Sequence, residues 1–448
     1  MTNNFLKKTE FRKHVLTLLT GTTISQAIPV AISPILTRIY SPEDFGLLAI
    51  YISIVTILAT VIAGAYDFAI VLPKHDKDVI PLLQLSFLIT SIISIIVLVI
   101  VTLFNNEIMI LLNNKEIGIW LYFLPLSIFL MGIYQTISFW LNRHKYYKQI
   151  ATTRVIQSGT TAFFQLLMGV LTITISGLIT GRIIGQVFST WVILRIFFKK
   201  KKILIRRFQQ NKIYALAKRY KRFPLYETWS NLLNSSSTEV PVILITSLFS
   251  IKTAGFYALA NRILLLPLSL LGSSIGQVFL QKASETRKDI VQLKLITQSI
   301  FSKLVYIGVL PIGIIMIFGD VIFAFIFGNE WKISGEFSQV LALWLFFVFI
   351  TSPLSNLLIV LEKQKESLFF NILIFISRIS SIIFGFIFLE DAYLTVALFG
   401  IVGTIFWIFL CGYILRLVKI SLLWALLEIV KTFVPTIIIL SFMRGIIL

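Results

Sequence analysis

Apolar residues run along this chain in long unbroken blocks, unlike the alternating or one-faced patterns of soluble elements. Blocks of about 20 residues or more cover 14–38, 46–71, 80–104, 118–141, 150–175, 178–198, 224–249, 256–280, 294–318, 336–360, 368–389 and 394–415. At 1.5 Å rise per residue, each is long enough to cross the ~30 Å hydrocarbon core of a bilayer as a helix. The pattern predicts an all-α polytopic membrane protein with twelve spans. A shorter run from about 432 to 448 is either a thirteenth span or a half-buried tail. Barrel strands would alternate apolar and polar residues, and these blocks do not. The first block is too long for a cleavable signal peptide, and no small-residue cleavage site follows it.

Composition agrees and adds a direction. The chain is 57% hydrophobic and 13% charged, yet 40 basic residues against 20 acidic ones give a formal charge of +20. A soluble protein this apolar would aggregate, and one this basic would coat itself in nucleic acid. Both features are consistent with a membrane protein whose cations sit in the loops of one leaflet. With the N-terminus inside, 29 Lys and Arg fall in inside loops and four (Arg38, Lys115, Lys252, Lys332) in outside loops. The positive-inside rule therefore predicts an N-terminus on the inner, cytoplasmic side of the membrane. One cysteine (Cys411) and three histidines leave no basis for a disulfide scaffold, a metal cluster or a cofactor site.

The longest inside loop, 199–223, carries eleven basic residues and no acid. It divides the chain into a six-helix half over 1–198 and a second over 224–415, leaving 416–448 as an amphipathic segment plus the thirteenth run. The loop reads as a basic linker and topology anchor, able to lie as an amphipathic helix on an anionic leaflet. The halves resemble each other. SPEDFGLLAI (41–50) matches SIKTAGFYAL (250–259) at an offset of 209, each a short outside turn with a glycine, Gly46 or Gly255, opening the next helix. A repeat in the same orientation implies a two-fold axis along the membrane normal, the plan of a transporter with a central cavity.

The stretches GTTISQAIPVAISPILTRIYSPEDFGLLAIY (21–51) and YDFAIVLPK (66–74) resemble the first helices of the polysaccharide transporter family. These are the Wzx-type O-antigen and capsule flippases of the MOP superfamily, which also contains the MATE exporters. AKRYKRFPLYETWSNLLNSSSTEVPVILITSLFS (217–250) and AGFYALANRILLLPLSLLGSSIGQVFLQKASE (254–285) resemble the seventh and eighth helices of the same family. The resemblance implies two six-helix bundles that flip an undecaprenyl-pyrophosphate-linked oligosaccharide from the inner to the outer leaflet. It implies no chemical step. Partners would be the lipid-linked oligosaccharide, an H+ or Na+ counter-ion, and a polysaccharide polymerase with its chain-length regulator.

Ionisable residues inside spans are expensive and mark candidate functional sites. Cations in a wet cavity would pair with the phosphates of such a cargo. Arg154, Arg182, Arg262, Lys303 and Arg378 are the candidates, with Lys303 and Arg378 leading because they fall near mid-depth. Arg195 lies near a helix end and snorkels to the interface. Among acids, Glu239 directly precedes Val240 and Pro241, where the proline frees a carbonyl and favours a polar kink. It binds a coupling ion or pairs with a nearby arginine. Asp67 is a second ion-coupling candidate, or pairs with Lys74 or Lys77. Gly177, Gly181 and Gly185 recur at the spacing that lets helices approach closely. A cation-coupled multidrug antiporter on the same architecture is the alternative, but its mostly cationic substrates would call for an acid-rich cavity. An enzyme is disfavoured because the outside loops are short and offer no acid–base constellation.

Overall fold

The computed structural model describes residues 2–171, 174–200, 210–266 and 272–447. Every long regular element among them is an α-helix. The chain divides into two compact units, Met1–Ile251 and Lys252–Leu448. Unit 1 holds α1 (Thr2–Ile39), α2 (Pro42–Val61), α3 (Tyr66–Ala69), α4 (Asp76–Leu111), α5 (Ile117–Leu121), α6 (Leu124–Arg143), α7 (Tyr147–Val170), α8 (Thr174–Lys200), α9 (Gln210–Arg219) and α10 (Thr228–Leu248). In unit 2 are α12 (Ser273–Glu285), α13 (Ile290–Phe327), α14 (Lys332–Thr351), α15 (Asn356–Val360), α16 (Gln364–Phe384), α17 (Ala392–Leu417) and α18 (Leu422–Ile447), preceded by α11 (Ile251–Leu264), which starts at the boundary. Among the described residues, nine helices are long and apolar enough to cross a membrane. The protein is multi-pass. The helices α1, α7 and α10 are not among those nine, and the expected span over α11 and α12 includes residues 267–271, which lie outside the described residues.

Unit 1 opens on a well-defined turn. Ser41 caps α2: its hydroxyl accepts from the Asp44 amide at 3.2 Å, the Asp44 carboxylate accepts from the Ser41 amide at 3.0 Å, and Pro42 occupies the first turn. This reciprocal box satisfies two amides that would otherwise be orphaned at a helix start. Further along, α2 is interrupted at Gly64 and Ala65, both left-handed with φ of 56° and 55°. An alanine held there costs about 1–3 kcal/mol, so its surroundings must enforce the break. On the other side of the unit, α7 and α8 lie in close contact. A Cβ on Gly181 would stand 2.7 Å from the Gln165 amide nitrogen, and one on Gly185 would stand 2.9 Å from that of Thr161. The glycine spacing is therefore a packing seam.

The basic linker departs from expectation where it is described. Ile213 and Leu216 of α9 are buried in a cluster with Leu82, Leu83, Ile193 and Phe197, and Tyr66 Oη donates to the Ala217 carbonyl at 3.2 Å. The apolar face of α9 is thus spent on the protein's own core and is not free to enter a leaflet. Residues 201–209 of the linker lie outside the described residues.

In unit 2 the C-terminal run is a full helix that starts ten residues earlier than its hydropathy suggested. Phe301 of α13 meets Trp424 at 5.7 Å between ring centroids, Gly313 faces Ile437 and Leu440, and Asp320 pairs with Arg444. These partners advance together along both helices, so α13 and α18 run parallel and traverse the same depth, about 28 Å between the first and last contacts. Prolines fall into three roles. Pro241 and Pro311 lie inside α10 and α13, Pro125 sits in the first turn of α6, and Pro353 lies in the turn between α14 and α15.

Candidate functional site

Unit 1 holds a half-open cavity of about 450 Å³, with polar and apolar lining, between α2, α3, α6, α7 and α10. Its size falls in the ordinary range of small-molecule sites. From α10, Asn231, Asn234 and Ser235 reach it at positions i, i+3 and i+4, one face of a helix. Across from them α6 contributes Tyr134, Gln135, Ser138, Phe139 and Asn142, again one face. Asn142 and Ile150 flank the α6–α7 turn, so the cavity reaches that end of the unit. The break at Gly64–Ala65 closes α2 and starts α3, which places Asp67 and Phe68 on the wall. Irregular backbone at membrane depth is tolerated where it lines a wet cavity, and Ala63 beside the break does line it.

Two charged residues line this wall, and both were singled out by sequence. Arg154 is exposed on α7 and its Nη1 donates to Thr22 Oγ1 at 2.9 Å. Asp67 is only 4% exposed. The pairing expected between Asp67 and Lys74 or Lys77 does not form among the described residues. The acid of that loop that does pair is Asp76, which accepts from Arg143 at 3.1 Å and lies 3.6 Å from His144. Glu239 lies one turn beyond Ser235 on α10, where its Oε2 accepts from Ser53 Oγ of α2 at 2.8 Å. Its partner is therefore a serine on α2, and among the described residues it has no arginine partner.

The remaining cations lie elsewhere. Arg182 is half-buried on α8, in the electrostatic neighbourhood of Tyr51, whose hydroxyl lies 2.6 Å from Ser127 Oγ. Arg262 is half-buried near the end of α11. Lys303 is exposed on the α13 face that also carries Tyr306, Ile307 and Leu310. Arg378 is 7% exposed, its guanidinium 5.0 Å from the Trp344 ring centroid and 5.9 Å from that of Phe399. Unit 2 has its own cavity of about 810 Å³, but the wall is mostly aromatic and aliphatic, with Phe301, Phe347, Phe370 and Phe406 prominent, and it includes neither Lys303 nor Arg378.

Sequence reasoning missed the neutral polar residues of the unit 1 cavity. Their signal was available: asparagines and serine at helical spacing inside a block otherwise apolar enough to span. It also missed Asp320, which it assigned to a loop. That carboxylate is 8% exposed inside α13, where it accepts from Arg444 at 2.8 Å and from Gln339 Nε2 at 3.0 Å. Among the described residues no three His, Cys, Asp or Glu side chains converge as a metal site would require.

A family model described as polysaccharide biosynthesis protein matches residues 35–336. No curated protein matches the sequence. Among solved structures, lipid II flippase MurJ in an inward closed conformation gives a TM-score of 0.71 at 17% identity, covering 97% of this chain and 100% of that one. An inward-facing multidrug resistance MATE family transporter of the MOP superfamily gives 0.68 at 13% identity, covering 89% and 95%. A MOP superfamily transporter from Pyrococcus furiosus gives 0.60 at 13% identity, covering 91% and 97%. At such identities the likeness is one of fold: a MOP-type, multi-pass helical arrangement. The family match spans well over half of the sequence, and the chain belongs to the polysaccharide biosynthesis protein family.

Proposed function

We propose that the protein is a flippase for a polyprenyl-pyrophosphate-linked oligosaccharide, moving it from the cytoplasmic to the periplasmic leaflet of the bacterial inner membrane. The observation that carries this reading is the unit 1 cavity. Amides and hydroxyls gathered on the wall of a cavity among span-length helices are costly to maintain unless a cargo with hydrophilic groups uses them. Arg154 at its exposed side would hold a phosphate by charge-assisted hydrogen bonds. Family membership points to polysaccharide assembly, and the solved MurJ is by name a lipid II flippase.

Alternating access between the halves 1–198 and 224–415 would carry the head group across, with the N-terminus cytoplasmic and the linker 199–223 on the same side. Arg154 leads the proposed phosphate contacts; Arg182, Arg262, Lys303 and Arg378 stand outside this cavity and are proposed only as secondary cations for the cargo. Glu239 and Asp67 are the proposed sites for a coupling H+ or Na+. No bond is made or broken in the cycle, so the protein acts as a transporter and not as an enzyme. Deleting the gene should abolish surface polysaccharide and leave lipid-linked units in the inner leaflet, with both effects reversed by the wild-type copy. Intact surface polysaccharide with new sensitivity to cationic dyes would instead select the multidrug antiporter.

A further inference from the structure

The unit 1 cavity is polarised. Of its lining residues only Asp67 and Arg154 carry charge, and they are placed differently: Arg154 is exposed, whereas Asp67 is 4% exposed within the wall. The rest of the polar wall is neutral. Gln135, Asn142, Asn231 and Asn234 each offer both donors and acceptors, which suits hydroxyl and acetamido groups that also do both. Ser138 Oγ, buried in the same wall, has no hydrogen-bond partner among the described residues. The Phe68 and Phe139 rings, 4.8 Å apart between centroids, add an apolar face against which a sugar ring can stack.

We infer that this cavity seats the first sugar of the cargo and selects an uncharged sugar against a uronic acid. The inference rests on the transport reading above. With the pyrophosphate held at Arg154, the attached sugar enters the enclosed part of the cavity. A carboxylate on that sugar meets Asp67, where screening by water is weaker than at a surface and like charges repel more strongly. Neutral hydroxyl or acetamido groups meet amides and lose little on leaving water. Asp67 is therefore the specificity-determining residue, acting by exclusion.

Binding to the purified full-length protein in lipid nanodiscs at mildly alkaline pH tests this with four probes: polyprenyl pyrophosphate alone and the same lipid carrying N-acetylglucosamine, glucose or glucuronic acid. The wild type should bind both neutral-sugar lipids at least about tenfold more tightly than the glucuronic acid lipid, because a like-charge contact opposes the latter. Asp67→Asn should bring glucuronic acid to within about threefold of the neutral sugars. Asn234→Asp, on a different helix, should widen the gap, so the test survives if Asp67→Asn fails to fold. Equal binding of all sugars by the wild type, or variants that shift every probe alike, would overturn the inference and leave the transport reading intact. Binding of none of the four probes would overturn both.

Discussion

Replacing Arg444 with alanine isolates one contact that fixes the C-terminal helix. In the wild type its guanidinium donates to Asp320 Oδ2 at 2.8 Å and to the Ile317 carbonyl, while Gln339 Nε2 reaches Asp320 Oδ1 at 3.0 Å. The substitution leaves a buried carboxylate with a single neutral donor. Breaking a fully buried ion pair costs about 3–5 kcal/mol. Side-chain hydrogen bonds between transmembrane helices reach about 1.7 kcal/mol at most. The Arg444 side chain is 35% exposed, so screening lowers the first figure. We expect a loss of about 2 kcal/mol, which lowers the apparent melting midpoint by about 4–8 °C for a domain of this size. Tryptophan fluorescence during heating in detergent would read it, Trp424 lying on the docked helix itself. Asp320→Asn should cost a similar amount, and the Arg444→Met, Asp320→Asn double variant should lose clearly less than the sum of the single changes. A midpoint unchanged within about 1 °C in Arg444→Ala, or strictly additive losses, would refute docking of α18 along α13.

Three further outcomes follow from the geometry of unit 1. Gly181→Ala puts a methyl group 2.7 Å from the Gln165 amide nitrogen and should destabilise the α7–α8 seam by about 1–3 kcal/mol, read as a lower melting midpoint. Ile213→Asp should lower stability in detergent as well as in lipid, because α9 is buried on the protein itself, whereas an effect confined to anionic lipid would favour a leaflet-bound helix. Burial pushes the Tyr40 hydroxyl, which donates to the Gln165 carbonyl at 2.7 Å, up from 10.0 to about 12. The folded state then holds a proton that the unfolded chain releases, so this contribution is full below the unfolded value and is lost as pH rises through about 10 to 12. Tyr40→Phe should flatten that part of the denaturation profile relative to wild type.

The spans were legible because helix length in a bilayer is set by simple geometry, and a block such as 336–360 needs no partner to declare itself. Azimuth was not legible. Lys303 and Arg378 were ranked first on depth alone, yet depth does not say which way a side chain points: Arg378 packs on Trp344 while Arg154, ranked lower, lines the cavity. Asn231 and Asn234 escaped a search for charge because their amides are polar but neutral. The start of α18 was hidden by Arg416, Lys419 and Lys431, which read as a loop. Lys431 and Glu428 instead lie three residues apart on the helix, where a short hydropathy window cannot distinguish a polar helix end from a connection.

The central claim is that the unit 1 cavity is the path of a lipid-linked sugar. Its most direct test is the leaflet exchange rate of a fluorescent polyprenyl-pyrophosphoryl oligosaccharide in vesicles reconstituted with wild type, Arg154→Ala or Asn234→Ala. Exchange well above that of protein-free vesicles, falling at least about tenfold in Arg154→Ala with the protein still folded, is the predicted result. Wild-type exchange no faster than protein-free vesicles, or full exchange in both variants, would contradict it.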